Sequence, residues 1–182
     1  CVRAGIALKK ILIAGEAGQT ANYENALAAM QVHFVTSLQV KDVDEYDGLL
    51  LPGGGDVDPK LFGQLLIPET EIRQYSRWEQ QLIRKGQEKL TPELDRIQLA
   101  ILKAFCQYRK PVFGICKGMQ LINIAFGGDM LRHLPTAVHH AYREKDQMHP
   151  ARNEVNSFLY EVYGSDMLVN SAHHQGVGIS GR

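Results

Sequence analysis

Cysteine, tryptophan and net charge are all scarce in this sequence. Its 182 residues include three cysteines and one tryptophan, and 20 basic residues balance 20 acidic ones. Because Cys1, Cys106 and Cys116 are odd in number and follow no spacing pattern, they indicate no disulfide framework and favour a reducing cytoplasm. The balanced charge also argues against a nucleic acid or a membrane as the partner, since neither a basic stripe nor a charged face is present.

Long apolar runs are missing as well, and the longest are far too short to span a bilayer. The composition, 45% hydrophobic and 22% charged, is ordinary for a globular protein. A chain of this length can bury enough core to fold alone. We therefore predict a single domain over residues 1–182.

Strand-like and helix-like segments alternate along the chain. The pattern predicts strands at 10–14, 32–36, 48–51 and 112–115, and helices at 22–30, 91–108 and 119–126, the first of these helices with an apolar stripe. The charged stretch 69–89 predicts a solvated helix. The helix that begins at Thr91 and Pro92 is expected to bury Leu94, Ile97, Ile101, Ala104, Phe105 and Tyr108, with Cys106 beside them in a structural role. This alternation predicts an α/β fold, with a mostly parallel central sheet, helices on both faces, and a ligand site at the carboxyl ends of the strands.

The segment 111–120, Pro-Val-Phe-Gly-Ile-Cys-Lys-Gly-Met-Gln, predicts a strand, a sharp turn and a helix. Gly114 and Gly118 flank Cys116 at two residues on either side, as in a nucleophile elbow, which needs small residues there. At the start of a helix the thiol would meet partly positive N–H groups, which favour the thiolate. The alternative is a buried structural cysteine, which would need neither glycine.

A second glycine cluster follows the predicted strand 48–51. Gly53, Gly54 and Gly55 do not continue as a dinucleotide fingerprint, because Asp58 stands where its third glycine would be. The cluster also lacks the Lys-Ser/Thr of a phosphate loop and the further ligands of a calcium loop. A nest of N–H donors for an oxyanion is the interpretation left, against a merely flexible turn.

Together these segments resemble the class I glutamine amidotransferase superfamily, and within it the branch of γ-glutamyl-γ-aminobutyrate hydrolase. Three blocks carry the resemblance in the expected order: residues 47–59, residues 113–123 with Gly127 and Gly128 after them, and residues 169–175, Val-Asn-Ser-Ala-His-His-Gln. The resemblance covers the chain from about Lys10 onwards. It implies a flavodoxin-like, glutamine amidotransferase-like domain.

The resemblance implies hydrolysis of a γ-glutamyl amide through a thioester on the catalytic residue Cys116. It needs no cofactor or metal, and its partner is a small γ-glutamyl substrate, with a homodimer left open. Lys117 stands where relatives usually have arginine. The structural alternative for Gln120 is a polar residue on the surface. For His173 and His174 it is a pair of loop histidines whose hydrogen bonds are satisfied. The residues to which the resemblance assigns oxyanion or substrate binding are Gly53, Gly54, Gly55, Lys117, Gln120, His173, His174 and Gln175.

Relatives carry the catalytic base and its orienting acid as a His-x-Glu pair after the His-His-Gln block. The printed sequence contains no such pair. We therefore expect the chain as given to lack a C-terminal segment and to be inactive, a degenerate relative being the alternative. His133, His139, His140 and His149 receive no catalytic role.

Other functions remain open at this point. One is a glutaminase subunit that delivers ammonia to a synthase, and the His-His-Gln block counts against it. Another is a non-catalytic γ-glutamyl-binding or redox-sensing protein that uses Cys116. A metal site is the weakest alternative, because adjacent residues such as His139 and His140 do not easily face one ion from a strand.

Overall fold

Strands and helices alternate along the part of the chain that the computed structural model describes, residues 9–182, and Cys1 lies outside it. The strands are β1 Lys10–Ile13, β2 His33–Thr36, β3 Gly48–Leu51, β4 Val112–Gly114, β5 Met130–Leu131, β6 Gln147–Arg152, β7 Asp166–Ser171 and β8 Gly176–Val177. The helices are α1 Ala21–Ala29, α2 Glu69–Ile72, α3 Arg77–Glu88, α4 Pro92–Gln107, α5 Lys117–Ala125 and α6 Phe158–Tyr163. The four predicted strands and the predicted helices 22–30, 91–108 and 119–126 are confirmed to within two residues at their ends.

A parallel sheet with strand order β2-β1-β3-β4 forms the centre of the fold. Leu12 pairs with Leu49, and Leu50 pairs with Phe113. All four residues of β3 are buried, as the continuous apolar run predicts for a central parallel strand. The order brings the carboxyl ends of β3 and β4 side by side, so the glycine loop and the elbow leave the sheet as neighbours.

Both faces of the sheet are covered. Leu12 and Leu51 point to one face, where they pack in one cluster with Phe105 of α4. Ile13 and Leu50 alternate with these residues along β1 and β3, so they point to the opposite face, and they are buried as well. The α/β fold with a parallel central sheet and helices is therefore confirmed.

Helix α4 buries most of the predicted face, but not at its C-terminal end. Ile101 and Phe105 are buried as expected, but Tyr108 is 53% exposed and Cys106 is an exposed free thiol rather than a packed one. Polar residues of α4, Asp95 and Gln98, are buried instead. The prediction was wrong here because it counted only apolar side chains, whereas this face also meets polar groups of the strand ends.

Two further expectations need correction. The charged stretch 69–89 is not one solvated helix but two, α2 and α3, which bury Ile72 and Ile83 in a small cluster of their own. A reciprocal capping box between Ser76 and Glu79 starts α3 and explains the break. Helix α1 was expected to carry an apolar stripe, yet each of its residues keeps some exposure to solvent.

The described chain divides into two compact units. The first contains the described residues up to Met130 together with Val177–Arg182, and the second is Leu131–Gly176. In the second unit, β6 and β7 form an antiparallel pair in which His149 lies opposite Val169. Helix α6 connects these two strands. Of the chain's seven histidines, all except His33 belong to this second unit.

Candidate active site

Cys116 occupies a strained turn between β4 and α5. Its backbone angles, φ 50° and ψ −110°, lie where a residue with a β-carbon is rarely found, at a cost of about 1–3 kcal/mol. The turn leaves Cys116 exposed, while both residues after it are buried. Such strain persists only where the surrounding packing imposes it, which is typical of a site where one side chain must be presented.

The two glycines that flank Cys116 are required by close backbone contacts. A β-carbon on Gly114 would lie 2.6 Å from the backbone of both Gly118 and Met119. A β-carbon on Gly118 would overlap the backbone carbonyl of Leu51 at the end of β3. The start of α5 therefore packs closely against β3 and β4, and the strand–turn–helix predicted from the sequence is present.

Within the glycine loop, the N–H groups of Gly53 and Gly54 have different partners. The Gly53 N–H donates to the Tyr23 hydroxyl of α1 at 2.9 Å. The Gly54 N–H instead hydrogen bonds to the Cys116 thiol. A β-carbon on Gly55 would meet no described atom within 4 Å. Of the three predicted glycines, Gly54 is thus the one whose N–H faces the sulfur.

The pKa of the Cys116 thiol is raised. Burial is the main cause, because surrounding protein displaces water from the sulfur, although part of the residue reaches solvent. The Asp56 carboxylate raises the pKa further. Hydrogen bonds from the Lys117 and Gly54 N–H groups lower the pKa, but by less. The N–H group at the helix start therefore favours the thiolate as predicted, but desolvation outweighs this effect and the net pKa is raised.

Lys117 points its side chain away from solvent into a buried ion pair. Its Nζ lies 2.5 Å from Asp95 Oδ1 and donates to Thr91 Oγ1 at 3.2 Å, and both charged side chains are at least 97% buried. The second Asp95 oxygen accepts the Asp58 N–H at 2.9 Å. Asp58, Asp95 and Tyr23 were missed in the sequence, since nothing near them along the chain indicates contacts with residues so distant.

Gln120 lies one turn after Cys116 on α5 and is buried, not a surface residue. Its N–H donates to the Cys116 carbonyl at 3.1 Å as part of the first helical turn. Cys116, Lys117, Gly54 and Gln120 are thus brought together in the first unit.

His173, His174 and Gln175 belong to the second unit. His174 and Gln175 are buried, and His174 Nδ1 lies 3.1 Å from His133 Nδ1. His173 Nδ1 lies 2.8 Å from the Gln175 carbonyl oxygen, and its ring stacks on His140. Their predicted place in a shared substrate pocket stays a prediction.

His140 is surrounded by other histidines. Its ring lies 4.7 Å from that of His149 and 5.5 Å from that of His173, measured between centroids. Burial lowers the pKa of His140, and the charges of His149, His173 and His139 lower it further. Among residues 9–182, no cluster of three or more His, Cys, Asp or Glu side chains is arranged to hold a metal ion.

A cavity of about 130 Å³ opens at the carboxyl ends of β1 and β3 in the first unit. Gly15, Thr20, Gly53, Gly54, Gln98 and Lys117 contribute to its walls. The glycine loop and Lys117 therefore border this cavity as well as contacting the thiol. In the same described part of the chain, no helix combines the length and apolarity needed to cross a bilayer.

Comparison with known proteins finds a matching family and several relatives. The model of the family described as Peptidase C26 matches residues 78–181. Protein NtpR of Enterococcus hirae is 29% identical over 142 residues, which cover 73% of this chain and 52% of NtpR. A gamma-glutamyl-gamma-aminobutyrate hydrolase of Escherichia coli O157:H7 is 28% identical over 159 residues, which cover 79% of this chain and 54% of the hydrolase.

A solved structure supports the fold independently. The crystal structure of a glutamine amidotransferase from Thermotoga maritima matches with a TM-score of 0.59 at 11% identity, over 95% of this chain and 63% of that one. At this identity the match shows the fold alone. The chain spans about half the length of the curated relatives it matches.

Proposed function

Because the chain belongs to the Peptidase C26 family, we propose that its whole protein hydrolyses a γ-glutamyl amide, as a γ-glutamyl-γ-aminobutyrate hydrolase does, with Cys116 as the nucleophile. One observation carries the proposal. The thiol stands on a strained elbow, and the N–H groups of Lys117 and Gly54 both point at it. An atom bonded to that sulfur would lie beside the same two donors.

The reaction proceeds in two acyl transfers. The Cys116 thiolate attacks the amide carbonyl, a C–S bond forms, and the carbonyl oxygen becomes an oxyanion between the Lys117 and Gly54 N–H groups. Collapse of this intermediate breaks the C–N bond, and the amine leaves with an added proton, which gives a thioester. Water then attacks the thioester, releases the γ-carboxylate and restores the thiol. Each donor held ready for the oxyanion is worth about 10²–10³ in rate.

The raised thiol pKa means that catalysis requires a base, since the neutral thiol is a poor nucleophile. The first unit contains one histidine, His33, and this residue begins β2 on the edge of the sheet opposite to β4. We therefore assign the base to a part of the protein other than the first unit. The printed chain by itself is expected to be inactive, because it contains no His-x-Glu pair.

Binding of the glutamyl group is proposed for Gln120, His173, His174 and Gln175. Gln120 supports this role by its position, buried one turn from the nucleophile. If it holds the substrate without joining the chemistry, its replacement should raise KM more than it lowers kcat.

Turnover of a γ-glutamyl anilide by the full-length protein tests the proposal. We expect Cys116→Ala to lower kcat by on the order of 10⁶, the loss seen when a nucleophile is removed. Cys106→Ala is the matched control, because Cys106 is also an exposed free thiol but lies on α4, and it should keep full activity. Turnover that survives in Cys116→Ala would refute the nucleophile. Hydrolysis of glutamine only after a synthase is added would identify a glutaminase subunit instead.

A further inference from the structure

A single buried carboxylate, Asp95, contacts both chain segments that supply N–H donors to the Cys116 thiol. One of its oxygens lies 2.5 Å from the Lys117 ammonium, and Lys117 supplies the first donor. The other oxygen accepts the Asp58 N–H at 2.9 Å, and Asp58 closes the loop that supplies the second donor, Gly54. Asp95 itself is completely buried on the first turns of α4.

The side chain of Lys117 completes the connection. A β-carbon built on Gly54 would lie 2.9 Å from Lys117 Cδ, so the stem of the lysine lies directly against the loop. The ammonium at its end is held by Asp95 and by Thr91 Oγ1. The lysine is therefore not available as an acid or base at the sulfur, and its charge is used to fix the position of its own backbone.

The separation of the two donors depends on these contacts. Gly54 follows the end of β3, whereas the Lys117 N–H is set by the elbow after β4. An oxyanion hole works only if both N–H groups are in place before the charge develops, and a misplacement of about 1 Å costs roughly 100-fold in rate. A carboxylate that binds both segments at once opposes such a displacement.

We propose that Asp95 is a positioning residue that holds the Lys117 and Gly54 N–H groups at their working separation around Cys116. The inference rests on the proposed function for its catalytic consequence. The arrangement of the donors around the thiol can be tested without it.

The first test uses the thiol alone. Iodoacetamide alkylation of Cys116 is followed against pH in the full-length protein and in Asp95→Asn, which removes the charge but keeps the size of the side chain. Since the two N–H groups lower the thiol pKa, their displacement should raise it further and slow alkylation at neutral pH, by about tenfold for each unit of rise. This result does not depend on which substrate the protein uses.

The second test uses turnover. Asp95→Asn should lower kcat per titrated thiol by roughly 100-fold with little change in KM. It should also weaken the binding of a γ-glutamyl aldehyde by a similar factor, because the adduct of the aldehyde with Cys116 carries the oxyanion. Glu93→Gln is the matched control, because Glu93 lies on the same helical turn but is exposed in its pair with Arg96.

If Asp95→Asn does not fold, Asp95→Asn combined with Lys117→Met removes both buried charges and should fold, yet show the same losses. An unchanged alkylation profile, together with unchanged kcat and aldehyde affinity per titrated thiol in any folded variant, would overturn the proposal and leave Asp95 a structural residue. A wild-type protein that hydrolyses no γ-glutamyl amide would refute the proposed function, and the alkylation profile would still decide the role of Asp95.

Discussion

Gly118→Ala tests whether close packing at the elbow, and not helix propensity, decides which residue can follow Lys117. Gly118 is the second residue of α5, and within a helix alanine is favoured over glycine by up to about 1 kcal/mol. If propensity decided, the substitution would stabilise the protein. The structure predicts the opposite sign.

The magnitude follows from what the new methyl group meets. It would overlap the Leu51 carbonyl, and that carbonyl is fixed because it accepts the Ile115 N–H at 3.0 Å. Overpacking of this kind costs about 1–3 kcal/mol. Relief would require α5 to move away from β3 by on the order of 1 Å to restore normal contact distances. The Lys117 N–H would move with the helix, so kcat should fall by roughly 100-fold under the proposed function.

Thermal and urea unfolding measure the first effect. We expect Gly118→Ala to lower Tm by about 2–4 °C for each kcal/mol lost. Gly55→Ala is the stability control, since it makes the same chemical change in the glycine loop where the new β-carbon meets no described atom within 4 Å, and it should alter stability by less than about 0.5 kcal/mol. A Gly118→Ala protein with a raised Tm and an unchanged kcat would refute the packing explanation of the elbow.

Two further predictions concern pH. Because the folded protein raises the Cys116 pKa, the neutral thiol stabilises the fold below the unfolded pKa near 8.5, and this contribution is lost as the pH rises through the folded value. Urea midpoints should fall more steeply above about pH 8.5 in the wild type than in Cys116→Ala, and equal slopes would contradict the shift. His140 has a lowered pKa, so its contribution is present above about pH 6.5 and is lost on acidification through the folded value. His140→Phe should therefore flatten the acid limb of the stability profile, and an unchanged limb would exclude His140 as its source.

Local patterns predicted those parts of the fold that depend on neighbours along the chain. The strand Gly48–Leu51 was predicted with its observed bounds, because a short apolar run that ends at proline and glycine has few other conformations available. Thr91 and Pro92 were predicted to start α4, and they do, since the fixed φ of proline suits a first helical position.

Patterns failed where a residue's surroundings come from distant parts of the chain. Gln98 was overlooked although it is buried, because its partner is the Ala14 carbonyl, 84 residues earlier. Tyr108 was assigned to the core and is exposed. Apolar spacing along one helix cannot show which of two adjoining faces meets the sheet when polar side chains are also buried there.

The sequence by itself determined where a nucleophile can stand. Gly114 and Gly118 around Cys116, after a short strand, indicate a sharp turn that exposes one side chain, because small residues at these two positions let the backbone bend tightly. Only the tertiary structure decided how that thiol is surrounded. The Tyr23 hydroxyl takes the Gly53 N–H and leaves Gly54 facing the sulfur, and desolvation by the assembled fold raises the thiol pKa above what the helix start alone would give. Hydrogen-bond partners and desolvation depend on atoms that come together only when the chain folds.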